Sequence, residues 1–187
     1  MSKNKEQKKS RLILILGLLT AIGPLSIDMY LPAFPDIARG LHTSVSSVML
    51  SLSSFFIGIS VGQLIYGPLL ERFGRKKPLY FGLLLYALSS AACATAVTVD
   101  TLIIFRLFQA LGGCVGMVAA RAMVRDLFDV KDNAKVFSTL MLVVAISPII
   151  APTLGGYITS LFGWRYIFGV LIVVIFFIIF IKPNNVY

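Results

Sequence analysis

The stretch Gly67-Pro68-Leu69-Leu70-Glu71-Arg72-Phe73-Gly74-Arg75-Lys76-Lys77-Pro78-Leu79 decides how this chain is read. One apolar run ends at Leu70 and the next begins at Leu79, with one acid, four bases and a glycine in the eight residues between. If both runs cross a membrane, the segment is a very short basic hairpin, and its bases place it on the cytoplasmic side. Gly67 would let a neighbouring helix come close, Pro68 loosens the last turn, and Gly74 permits a tight reversal. Glu71 stands where it can hydrogen-bond Arg72 and Arg75. A plain topological anchor and a moving contact both fit this composition.

Working outward, the rest of the chain has the same character. Of its 187 residues, 58% are hydrophobic and 13% charged, with a mean hydropathy of +0.90. A soluble domain carries about 25% charged residues, so an all-α integral membrane protein is expected. The net charge of +9 could suit a nucleic acid, but the bases gather at alternate ends of apolar runs. That is a topology pattern, and no nucleic-acid partner is expected. Cys93 and Cys114 lie in apolar runs and read as buried bystanders, with neither a disulfide nor a metal site. No nucleophile–base set, metal-ligand spacing, phosphate loop or cofactor motif is visible, so no enzyme is expected.

Six spans are expected, at about 12–31, 46–70, 79–99, 101–124, 136–158 and 164–181, after a basic tail 1–11 and before a short end 183–187. The first run is too long for a signal peptide and no cleavage site follows it. With that run leading outward, fourteen of the 17 bases lie inside, Arg39 and Arg165 lie outside, and Arg106 lies within a span. Both ends are then cytoplasmic. The second run carries a small-residue stripe, Ser47, Ser51, Ser54, Gly58 and Gly62, of the kind that packs helices closely in lipid. The third offers a smooth face and no chemistry, and the sixth is the most uniformly apolar.

Chemistry concentrates in the first, fourth and fifth runs. Thr20, Pro24 and Asp28 recur at intervals of four and share a face. Asp28 either snorkels to the outer interface or works inside the membrane. Pro32 to Asp36 should form an extended turn. Arg106, Gln109, Gly113, Met117 and Ala120 share a face of the fourth run. An arginine there costs about 3 kcal/mol or more unless it meets a partner or water. Asp28 lies roughly 24 Å along an outward helix and Arg106 near the start of an inward one. They should reach a similar depth, where the arginine could hold Asp28 ionised. In the fifth run, Pro148 and Pro152 followed by Gly155 and Gly156 predict a kinked helix.

One repeat is visible. Gly67-x5-Phe73-Gly74 closes the second run, and Gly156-x5-Phe162-Gly163 closes the fifth, 89 residues later and on the opposite side. A three-plus-three inverted repeat, the building plan of many transporters, has that relation.

The hairpin resembles the loop signature of the major facilitator superfamily, Gly-x-Leu-x-Asp-Arg-x-Gly-Arg-Lys-x-x-Leu, with Glu71 in place of the usual Asp. Leu102-x-x-x-Arg106-x-x-Gln109-Ala110 resembles its fourth-helix motif, and Ala151-Pro152-x-x-Gly155-Gly156 the fifth-helix motif of drug/proton antiporters. Ser26 to Pro35 and Arg121 to Phe128 resemble the Bcr/CflA drug-resistance branch. The family is a twelve-helix carrier of two six-helix halves around a central cavity, and this chain resembles the first half. The resemblance implies proton-coupled efflux of small apolar or amphipathic drug-like molecules across the cell membrane. It implies proton coupling at Asp28 and Arg106, and a substrate cavity touching Thr20, Tyr30, Gln109, Gly113 and Met117. It further implies a gating loop of Gly67, Glu71, Arg72, Gly74 and Arg75, and a fifth-helix motif of Pro148, Pro152, Gly155 and Gly156. Implied partners are lipid, protons, the substrate, and a second six-helix half or a second copy. A facilitator-fold importer or uniporter of a small metabolite is the nearest alternative, against which the fifth-helix motif argues. A six-helix subunit that transports nothing is the other.

Overall fold

The computed structural model describes residues 2–180, and every regular element in them is helical. The short end 183–187 and the last residue of the sixth expected span lie outside the described residues. Helix α1 (Ser2–Asp28) is followed by a 3-10 turn (Leu31–Ala33), then α2 (Phe34–Gly40), α3 (Val45–Phe73), α4 (Lys76–Ala94), α5 (Val99–Leu127), α6 (Val130–Phe162) and α7 (Arg165–Phe180). By length and composition, Leu12–Gly40, Val45–Phe73, Val99–Leu127 and Lys131–Phe162 can each cross a membrane. Helix α4 has 19 residues and α7 has 16.

Several boundaries differ from the sequence reading, for identifiable reasons. The basic stretch at the start is helical and continuous with the first span. The proline-rich segment after Asp28 is not extended. Pro32 and Pro35 fall in the first turns of the 3-10 turn and of α2, where a missing N–H costs nothing. Helix α2 then buries Phe34, Ile37 and Ala38, and its outer side pairs Asp36 with Arg39. Helix α5 starts earlier than expected because Thr98 and Thr101 form a reciprocal capping box, leaving Asp100 on the surface of the first turn. The hairpin is shorter than expected, because α3 runs through Glu71 and Arg72 to Phe73 and α4 starts at Lys76. Helix α6 continues unbroken through Pro148 and Pro152.

Helix α5 is the hub. Helices α1, α3 and α4 all pack on it, and glycines set how close they come. A Cβ on Gly58 of α3 would meet the Leu107 carbonyl oxygen at 2.6 Å and the Ala110 Cβ at 2.7 Å. On α5, Gly112 lies against the backbone of Gly82 and Tyr86 in α4, and Gly116 lies 2.7 Å (as a Cβ) from the Leu19 carbonyl oxygen in α1. The serine stripe of α3 packs likewise, with Ser54 Oγ donating to the Ile103 carbonyl at 2.6 Å. Without a hydrophobic drive in lipid, this close backbone packing is what associates the helices.

The repeat has a backbone counterpart. Exchanging α1 with α5, α3 with α6 and α4 with α7 turns the α3–α5 contact into the α6–α1 contact and leaves α1–α5 and α4–α7 unchanged. Both copies of the motif end a helix at the phenylalanine and cap it with glycine. Gly74 has φ 75° and ψ 173°, and Gly163 has φ 97° and ψ 160°. They are the only glycines with positive φ among the described residues.

Candidate functional site

Arg106 is the centre of the site. It projects from the second turn of α5 and is fully buried. Its Nη1 donates to Gln109 Oε1 at 2.7 Å and its Nη2 to the Ser26 carbonyl at 3.1 Å, while Nε has no partner. The guanidinium lies between two rings, 4.2 Å from the Tyr30 centroid and 4.1 Å from that of Phe55. Burying a charge without a counter-ion costs several kcal/mol. Two cation–π faces of about 0.5–2 kcal/mol each, and two charge-assisted hydrogen bonds, offset part of that.

The partners are themselves held. Gln109 Nε2 donates to Ser90 Oγ at 2.7 Å, and Ser90 Oγ donates to the Tyr86 carbonyl. Ser26 Oγ and Tyr86 Oη are 2.6 Å apart, as are Tyr30 Oη and Ser51 Oγ. One buried polar network thus joins α1, α3, α4 and α5. Ser90 and Tyr86 belong to the helix that the sequence reading left without chemistry. The available signal was a tyrosine and a serine four apart in an apolar run.

Asp28 does not pair with Arg106. It ends α1 half-buried, and its Oδ2 accepts from Ser147 Oγ of α6 at 3.3 Å. No ion pair between Asp28 and Arg106 exists among the described residues. Arg106 does lie level with the last turn of α1, since it reaches the Ser26 carbonyl, but on another side of that helix. Ser147 directly precedes Pro148 of the fifth-run motif, and with Ala151 and Gly155 it forms the buried face of that part of α6. Gly155 lies directly against the Met29 backbone, whereas Pro148 is exposed and Pro152 half-buried.

The expected cavity residues divide. Tyr30 and Gln109 belong to the Arg106 network. Thr20 is buried and donates to its own helix at the Leu16 carbonyl, 2.8 Å. Gly113 packs under the Tyr86 ring, and a Cβ there would meet Tyr86 Cδ2 at 2.7 Å. Gly113 and Met117 line a small void of about 10 Å³ beside Phe55, room for no more than one water.

The basic turn is organised differently from expectation too. Arg75 Nε bonds Asp126 Oδ2 of α5 at 2.9 Å, so Asp126 and not Glu71 orders this arginine. Arg72 lies over the Phe73 ring. Among the described residues nothing lies within 4 Å of a Cβ built on Gly67, so none of the described helices approaches closely there. Gly74 is set apart by its backbone alone. Its φ and ψ fall in a region open essentially to glycine, and a Cβ there would meet nothing within 4 Å among the described residues. Gly74→Val is expected to cost about 1–3 kcal/mol of backbone strain, lowering the unfolding temperature in detergent, while Lys77→Gln at an exposed site leaves it unchanged. Equal melting of the two variants would refute the strained turn.

A family model described as Major Facilitator Superfamily matches residues 16–184. The chain is 44% identical over 175 residues to the uncharacterized MFS-type transporter YdgK of Bacillus subtilis, covering 91% of this chain and 44% of that protein. It is 37% identical over 168 residues to the bicyclomycin resistance protein homolog of Haemophilus influenzae, covering 90% and 42%. It is 32% identical over 161 residues to multidrug resistance protein D of Escherichia coli, covering 86% and 41%. The chain therefore spans less than half the length of these curated relatives.

Proposed function

Because this chain belongs to the major facilitator superfamily, a family of transporters and not of enzymes, we propose that it forms one six-helix half of a proton-coupled exporter of small drug-like molecules. The observation that carries this reading is the fully buried Arg106, held without a carboxylate at the level where α1 ends in Asp28. Ionisable groups inside a membrane are costly, and that cost goes with ion and substrate pathways. Two relatives named for bicyclomycin and multidrug resistance support the substrate class.

In this reading all six long helices span the membrane, with the Gly74 turn and both ends on the cytoplasmic side of the cell membrane, following the base distribution. Asp28 takes a proton from outside. When ionised it accepts from Ser147, which ties the end of α1 to α6; protonation removes the charge and weakens that tie. The α1–α6 contact, tightened at Gly155, then shifts relative to α5, where Arg106 stays fixed by Gln109 and Ser26. The bond between Arg75 and Asp126 holds the cytoplasmic side in one of its two states. The second wall of the cavity comes from another six-helix half or a second copy.

The test joins this chain to the unmatched remainder of the Haemophilus influenzae relative and expresses the whole in a drug-sensitive host. Resistance and pH-driven efflux in vesicles are expected. Asp28→Asn should keep drug binding and lose the dependence of efflux on the proton gradient. Efflux from that variant with an unchanged pH dependence would remove Asp28 from the mechanism.

A further inference from the structure

At the end of the bundle that carries the Gly74 turn, α3, α5 and α6 leave an open cleft of about 540 Å³, within the roughly 300–1,000 Å³ of small-molecule sites. It is separate from the Arg106 network. Leu70, Val118 and Phe137 give its lining an apolar part, Gln63 and Asn133 a neutral polar part, and three arginines a cationic part. Arg121 and Arg125 lie one turn apart on α5, and Arg75 comes from the turn, against Glu71 as the one carboxylate of the lining. Arg75 is engaged by Asp126. Arg121 and Arg125 are exposed and have no hydrogen bond or ion pair among the described residues.

Two unengaged guanidinium groups lining the same cleft as Leu70, Val118 and Phe137 match a ligand that is anionic at one end and greasy at the other. Guanidinium suits phosphate oxygens because its planar fork bonds them in pairs. Basic pockets between membrane helices take acidic lipid head groups for the same reason. We propose that this cleft binds the phosphate group of an anionic amphiphile, which a membrane supplies as an acidic phospholipid. Glu71 opposes the ligand and limits its affinity.

The test uses the purified 187-residue chain in neutral detergent, titrated with phosphatidylglycerol or phosphatidylcholine and read by native mass spectrometry. One saturable phosphatidylglycerol site is expected, at least tenfold tighter than for phosphatidylcholine. Arg121→Gln with Arg125→Gln should abolish that preference. Lys77→Gln with Lys135→Gln removes equal charge outside the cleft and should preserve it. Glu71→Gln should tighten binding several-fold, a gain that misfolding cannot mimic. Bound phosphatidylglycerol is expected to resist an equal concentration of inorganic phosphate, which has no tail to meet the apolar lining; ready displacement would overturn the amphiphile and leave a plain phosphate site. Equal binding of the two lipids, or equal losses in the two double variants, would overturn the proposal and leave a diffuse basic surface.

Discussion

Gly155→Ala is expected to lower the yield and melting temperature of folded protein clearly, while Gly156→Ala leaves both near the parent level. The two residues are neighbours in one helix, and each substitution gains about 1 kcal/mol of helix propensity. They differ in what the new methyl group meets. At Gly155 it runs into the Met29 carbonyl oxygen and lies 2.7 Å from both the carbonyl carbon and the Cα of Met29. These are backbone atoms between α1 and the 3-10 turn, with no side chain to swing aside. Overpacking a tight site costs typically about 1–3 kcal/mol, and here relief requires α1 and α6 to part, which also breaks the bond from Ser147 to Asp28. At Gly156 the nearest atom is the Pro32 Cβ at 3.8 Å, an ordinary contact. Monodisperse yield and melting temperature in detergent measure the contrast. Matching values for the two alanine variants would mean that α1 and α6 do not meet at Gly155.

Arg106→Met should separate folding from function. It leaves both Gln109 Oε1 and the Ser26 carbonyl without their donor, a loss of about 1–3 kcal/mol each. It also removes a buried charge, and exchanging such charges for apolar groups of similar volume is often neutral or stabilising by about 1–4 kcal/mol. The melting temperature is therefore expected to hold or fall by only a few degrees. Efflux by the joined transporter should fall at least a hundredfold. Arg106→Lys should fare little better in efflux, because an ammonium group cannot reach Gln109 and Ser26 together while lying flat between Tyr30 and Phe55. Full efflux by the methionine variant would take Arg106 out of transport, and failure of that variant to fold would make the arginine structural.

Much of this architecture was legible in the chain, and what was not has a common cause. Apolar runs separated by bases marked the helices, and the repeated Phe-Gly steps at 73–74 and 162–163 marked where two of them stop. Depth could also be reckoned, since rise per residue is fixed, and Arg106 does reach the last turn of α1. Azimuth could not. Ser26 and Asp28 are two residues apart and so about 200° apart around the helix, which sends the Ser26 carbonyl to α5 and the Asp28 carboxylate to α6. Tyr86 and Ser90 stayed silent because each is unremarkable in its own run. Their partners Ser26 and Gln109 lie 60 and 19 residues away, and only the close glycine-lined packing brings them together. Helix ends drifted for a local reason: Glu71 and Arg72 look like a loop by charge but are good helix formers.

That α1, α3 and α4 pack on α5 more than on one another bears on how the protein is made. A ribosome delivers those three helices first. Until α5 arrives, the hydroxyls of Ser26 and Ser90 are occupied by carbonyls of their own helices, at Ile22 and Tyr86, so they can wait in lipid at little cost. Arg106 has no such shelter on α5 beyond Gln109. It enters the bilayer when the Ser26 carbonyl and the Tyr30 and Phe55 rings are already in place to receive it. Synthesis order therefore puts the acceptors ahead of the cation. A circular permutant that made α5 first would have to insert the arginine into a membrane holding none of them.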